Sequence, residues 1–169
     1  MIHNFTGIAD GGLPYSGLIL DAKGNLYGTA AIGGGGRCFR FIKGCGVVFE
    51  LSKSTNGNWN ETVLHPFAGG DGNWPDGPLV FDAAGNLYGT TFEGGGDLKD
   101  CPLTACGGVY KLSPSSGGTW TETLLYSFHG SDGAFPESGF VLDAAGNLYG
   151  TTAGGGIHAP GGTVFEISP

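Results

Sequence analysis

Asp82-Ala83-Ala84-Gly85-Asn86-Leu87-Tyr88-Gly89-Thr90-Thr91 recurs without change over residues 143–152, and a near copy with Lys23 in place of an alanine occupies residues 21–29. Leu26, Leu87 and Leu148 are 61 residues apart, as are Asn25, Asn86 and Asn147. A fixed period of this length is the mark of a repeat architecture and governs how every single residue is read. The repeats span residues 1–58, 59–119 and 120–169, as one domain. Asp-Ala-Ala-Gly-Asn between two apolar runs predicts a tight hairpin turn.

Around this hairpin the same segments return in each copy. Ile2-His3-Asn4-Phe5 matches Val63-Leu64-His65-Pro66-Phe67 and Leu124-Leu125-Tyr126-Ser127-Phe128. In the later copies Trp59-Asn60-Glu61-Thr62 and Trp120-Thr121-Glu122-Thr123 precede it, and the alternation of bulky and polar residues predicts a strand. A turn with Asp-Gly and a nearby proline follows. Next come short apolar runs at residues 17–20, 78–81 and 139–142, whose continuity predicts a strand buried on both faces. Leu-Tyr-Gly-Thr is a further strand, and Val47-Val48-Phe49-Glu50-Leu51 and its relatives at residues 109–112 and 163–167 are the last.

Four short strands per period, with no helical periodicity, predict an all-β fold, a β-propeller of three four-stranded blades. The chain starts with part of an outermost strand and stops after the third strand of its last blade. Residues 2–5 are therefore expected to pair with an open blade edge. Because propellers have 4–8 blades, a homodimer of three plus three blades is favoured, with a closed three-bladed ring as the alternative.

With 36 glycines and nine prolines the chain would read as disordered, but for their fixed places in the repeat. The net charge of −8, with seven Lys and Arg, leaves no basic stripe for nucleic acid. No apolar run approaches the length of a membrane span. Cys38 and Cys45 share one loop, and Cys101 and Cys106 share its counterpart. Of three possible pairings, this equivalence favours two local disulfides, which imply export to an oxidising compartment, extracellular or at the cell surface. No metal site is expected, since the spacing is not that of zinc ligands and the four histidines do not cluster by repeat. No cofactor motif is present: the glycine runs lack the Lys-Ser or Lys-Thr of a phosphate loop.

The stretch Gly17-Leu18-Ile19-Leu20-Asp21-Ala22-Lys23-Gly24-Asn25-Leu26-Tyr27-Gly28-Thr29, with its two relatives, resembles the GloVer-type (choice-of-anchor) tandem repeats of bacterial surface or secreted proteins. It is more distantly similar to NHL-type propeller blades. The resemblance covers essentially the whole chain. It implies an extracellular propeller and no established chemistry; NHL-like rings are mostly binding scaffolds, and some related rings hold metal-dependent hydrolases.

The turns between blades carry the candidate ligand-binding residues. Trp74 and Phe135 occupy equivalent positions, with Asp71 and Asp132 before them and Asp76 and Glu137 after. Asp10 and Tyr15 are their counterparts in the first repeat. An aromatic face beside carboxylates is what a sugar ring and its hydroxyls require. The same residues serve equally as gap-filling aromatics and turn caps. The expected function is a binding or assembly module without catalysis, with itself, a glycan or a surface protein as partner. The alternatives are a polysaccharide hydrolase or lyase using loop carboxylates and a purely structural self-assembling subunit.

Overall fold

The computed structural model describes residues 1–35, 38, 44–96, 101, 106–158 and 161–168. These contain eleven strands and no helix: β1 (Ile19–Leu20), β2 (Leu26–Ala30), β3 (Val47–Lys53), β4 (Trp59–Pro66), β5 (Val80–Phe81), β6 (Leu87–Thr91), β7 (Gly108–Pro114), β8 (Trp120–Ser127), β9 (Val141–Leu142), β10 (Leu148–Thr151) and β11 (Val164–Ile167). All strand pairings are antiparallel. β1-β2-β3-β4 form sheet 1, β5-β6-β7-β8 sheet 2 and β9-β10-β11 sheet 3. Each period thus yields one sheet, a meander in chain order, and sheets 1 and 2 take their fourth strand from the start of the following repeat.

Each hairpin closes around a single carboxylate. Asp82 Oδ1 accepts from the amides of Ala84 (2.9 Å) and Asn86 (2.8 Å), and Oδ2 accepts from Asn86 Nδ2 (2.6 Å) and the Tyr88 hydroxyl (3.0 Å). Gly85 sits at φ 84°, a conformation that glycine adopts without strain. Asp21 and Asp143 repeat the arrangement with Asn25 and Tyr27, and with Asn147 and Tyr149. The motif Asp-x-x-Gly-Asn-x-Tyr is therefore one hydrogen-bonded unit that locks the turn to the strand after it. Burial raises the Asp82 carboxyl, but the bonds from Asn86, Tyr88 and Ala84 outweigh it and hold it below the ordinary range.

Across the next ladder, Gly28, Gly89 and Gly150 lie opposite Phe49, Tyr110 and Phe165. A Cβ on Gly28 would sit 2.8 Å from the Phe49 ring, and one on Gly89 2.9 Å from Leu79 and closer still to Tyr110. Glycine is needed here because the far end of the facing ring occupies the space that a Cβ would take.

The sheets have two apolar faces, and where one sheet follows another the facing pair is sealed between them. From sheet 1, Tyr27, Val48 and Leu64 pack with Leu79, Leu87, Tyr110 and Leu112 of sheet 2. From sheet 2, Val109 packs with Phe140, Phe165 and Ile167 of sheet 3. Edge-on aromatic pairs link the end of one sheet to the next: Phe67, just after β4, on Tyr110 at 5.0 Å, and Phe128, just after β8, on Phe165 at 5.0 Å.

Two expectations are corrected. Residues 2–5 form no strand; a strand exists only where its backbone finds a ladder partner, and β11 lies at the opposite end of the chain's row of sheets. Phe5 instead packs on Phe49, at 4.9 Å, in the same way as Phe67 packs on Tyr110. The short apolar runs yield ladders of only two residues, and none is buried on both faces: Leu20 and Val141 are largely exposed. The fully buried strand is β6, whose polar threonines obscure its burial in the sequence.

Two outcomes follow from the hairpin and the glycine ladder. Gly89→Ala is expected to lower unfolding stability by about 1–3 kcal/mol, the usual effect of overpacking a closed site, in urea denaturation. An unchanged midpoint would contradict the contact. The depressed carboxyls of Asp21, Asp82 and Asp143 contribute stability that is present above their ordinary value of 3.8 and lost as pH falls through their folded values. Replacing all three by asparagine is expected to flatten the acid limb of a stability-versus-pH curve.

Candidate functional site

The turn entering each sheet is where the sequence places its candidate ligand residues. Its central residue is Leu13, Trp74 or Phe135, at φ 56°, 59° and 58°. Bulky side chains rarely adopt this left-handed conformation, and it persists only where neighbours enforce it. All three share a bridge within their own sheet, where the carbonyls of Leu13, Trp74 and Phe135 accept from the amides of Ala31, Phe92 and Ala153, and the last two turns add a bridge to the sheet before. The Trp74 amide donates to Cys45 O at 2.9 Å, and Trp74 O accepts from Phe92 at 3.0 Å. The Phe135 amide donates to Cys106 O at 2.8 Å, and Phe135 O accepts from Ala153 at 2.9 Å. The Trp74 and Phe135 turns therefore tie the cysteine loop of the preceding sheet to the end of the second strand of their own. The cysteines pair as Cys38–Cys45 and Cys101–Cys106, with Cα separations of 5.2 and 5.5 Å.

The eight candidate residues divide by what holds their polar atoms. Asp10, Asp71 and Asp132 are turn caps. Asp10 accepts from the amide and hydroxyl of Thr6, Asp71 from the Ala68 amide and His65 Nε2 (2.9 Å), and Asp132 from the His129 amide and Tyr126 OH (2.6 Å). Asp76 and Glu137 are brought together across the sheet 2–sheet 3 boundary. Burial, and then the Glu137 charge, push the Asp76 carboxyl up to about 6. Its Oδ1 is buried and has no hydrogen-bond partner among the described residues. Phe135 stacks on Phe92 at 4.9 Å with 27° between the planes. Trp74 is half-buried, and Tyr15 is exposed on the free side of sheet 1. Thr29 and Thr90, which also lie near the glycine runs, are buried inside their sheets.

Sequence reasoning missed a second feature, the outward faces of the first and last sheets. Every exposed large apolar side chain among the described residues falls within residues 1–20 or 126–164. Val164 is 80% exposed, whereas its repeat equivalents Val48 and Val109 are 0% exposed. Leu18 is 48% exposed against 4% for Leu79. The period makes these positions equivalent, so the only available signal was that repeats one and three each have a neighbour on one side. Among the described residues, β11 has no strand on its outer edge.

A family model for the Gloeobacter/Verrucomicrobia repeat matches residues 1–165. The chain belongs to this repeat family. No curated protein matches it. The repeat's recurring residues are those given structural roles above: the Asp-x-x-Gly-Asn-x-Tyr hairpin and the glycine beneath the facing ring. No helix among the described residues is long and apolar enough to cross a membrane.

Asp76 offers a test of the site's electrostatics. Its folded value lies above the ordinary 3.8, so its contribution to stability is fully present below about 3.8 and is lost as pH rises through about 6. Asp76→Asn is expected to gain stability over wild type between these values and to hold that gain at neutral pH, measured by denaturant midpoints. Parallel curves for the two proteins would rule out the strained carboxyl.

Proposed function

We propose that this repeat protein is a non-catalytic assembly module of the cell surface or extracellular space, whose sheets are propeller blades. Two copies complete one six-bladed ring. The observation that carries this reading is Val164, exposed in sheet 3 where the same valine is sealed in sheets 1 and 2. An apolar sheet face left open in water is costly, at roughly 25 cal/mol per Å², and marks an interaction surface when it is contiguous. Six is the one multiple of three within the usual range of blade numbers. The two cysteine pairs are compatible with an oxidising compartment.

A second reading adds a ligand to this scaffold. Half-buried Trp74, two residues before Asp76, whose buried Oδ1 has no hydrogen-bond partner among the described residues, supports a carbohydrate contact on the turn face. Three of the carboxylates considered for it, Asp10, Asp71 and Asp132, already accept from their own turns.

Light scattering of the full chain is expected to give twice the chain mass, and deletion of residues 1–6 to give the monomer. A full chain that is monomeric at all concentrations would contradict the assembly reading. For the carbohydrate contact, a glycan array is expected to return a ligand whose binding falls at least tenfold in Trp74→Ala. No binder on the array would leave the scaffold alone.

A further inference from the structure

The boundary between repeats is built twice in this chain, each time from the same parts. At the first boundary, Val48 lies opposite His65 and Phe49 opposite Val63, with Leu64 taking the bulge. The Phe67 amide donates to Gly46 O and the Trp74 amide to Cys45 O. A Cβ on Gly46 would strike Pro75. The Tyr27 ring rests against Phe81 at 5.1 Å and Trp120 at 6.4 Å. At the second boundary, Val109 lies opposite Tyr126 and Tyr110 opposite Leu124, with Leu125 in the bulge. The Phe128 amide donates to Gly107 O, the Phe135 amide to Cys106 O, and Gly107 abuts Pro136.

Sheet 3 presents the receiving half of this set. The equivalents of Gly46 O and Cys45 O are Gly162 O and Gly161 O, and neither accepts a hydrogen bond among the described residues. Val164 is bare, and Tyr149 is only half-buried where Tyr27 and Tyr88 are buried. Sheet 1 presents the inserting half. His3 and Phe5 hold the edge-on geometry of their counterparts: ring centroids are 4.6 Å apart at 80° for His3–Phe5, and 4.7 Å at 82° for His65–Phe67. The amides of Phe5 and Leu13 donate to no acceptor among the described residues. His3, Phe5, Leu13, Pro14 and Tyr15 border an open groove of about 620 Å³, on the side where sheets 2 and 3 each receive the cysteine loop of the sheet before. Leu20, the equivalent of Phe81, is 64% exposed.

From these two halves we infer that the occupant of the open edge is a second copy of this chain, docked head to tail in the register of the internal boundaries. Residues 1–5 of the second copy add a strand to β11, with His3 opposite Val164, Met1 opposite Phe165 and Ile2 in the bulge. The Phe5 amide donates to Gly162 O, the Leu13 amide donates to Gly161 O, and Pro14 covers Gly162. Tyr149 rests on Leu20 and Trp59 of the second copy. Residues 2–5 thus become a strand only when this edge is supplied, a case of strand addition to an exposed sheet edge. The contact joins two different surfaces of the same chain, so it is heterologous and closes when the rotation permits. This inference rests on the assembly reading above and specifies the atoms that make it.

The test uses the full chain and two variants. Val164→Asp changes a side chain that is 80% exposed in the single chain, so its fold, read by circular dichroism, is expected to be unchanged. Its dissociation constant by analytical ultracentrifugation is expected to rise at least tenfold. The double variant His3→Cys/Val164→Cys is expected to form a disulfide between chains, seen as a reducible dimer on a denaturing gel. If wild type associates but Val164→Asp does so equally well and the cysteine pair forms no interchain bond, this register is overturned and the assembly reading survives. A cysteine pair that closes only within one chain likewise overturns it, in favour of a self-closed ring. A monomeric wild type overturns both.

Discussion

A narrow β-sheet that is apolar on both faces cannot stand alone in water, and that constraint organises this molecule. Val48 and Val109 look toward the following sheet, and Tyr110 and Phe165 look back toward the preceding one. Each repeat therefore completes its core only with a neighbour on either side, the nearest-neighbour logic of repeat proteins in general. In this chain sheet 2 alone has both neighbours, and among the described residues every exposed large apolar side chain except Tyr126, near the end of β8, falls outside it.

The hairpin carboxylate supplies what apolar burial lacks, a fixed register. Asp21, Asp82 and Asp143 each collect two backbone amides, an asparagine amide and a tyrosine hydroxyl. The tyrosine is the residue whose ring meets the next sheet in the first repeat, where Tyr27 touches Phe81 and Trp120. A single partly exposed carboxylate thus positions both the turn and the contact that stacks one sheet on another. The left-handed residues Leu13, Trp74 and Phe135 act from the other side. Trp74 and Phe135 bind a cysteine loop of the preceding sheet through their amides. Leu13 holds the same conformation without such a neighbour, so the left-handed turn is set within its own sheet, where each of the three carbonyls accepts a backbone amide.

Much of this was legible in the residues because the period compares each position with two others. The hairpin turn, the meander of four strands and the pairing of cysteines within loops all follow from equivalence between copies. Burial was harder to read. Leu18, Leu79 and Phe140 are equivalent and apolar, yet only Leu79 is fully sealed, because side-chain type does not reveal whether a neighbouring sheet is present. Residues 2–5 have the alternation of a strand but no ladder, since pairing depends on a distant edge that local sequence does not specify. The acidic turn residues looked alike in sequence; hydrogen bonding separates the capped Asp10, Asp71 and Asp132 from Asp76, whose neighbour Glu137 comes from another repeat.

The central claim is that the bare edge of sheet 3 is closed by another blade-like strand in the assembled protein. Amide hydrogen exchange along β11, followed by mass spectrometry or NMR over a dilution series, tests it most directly. The account expects the outward-facing amides of Val164–Ile167 to be protected like those of β7 at high protein concentration and to lose that protection on dilution. Exchange at open-strand rates at every concentration would contradict it.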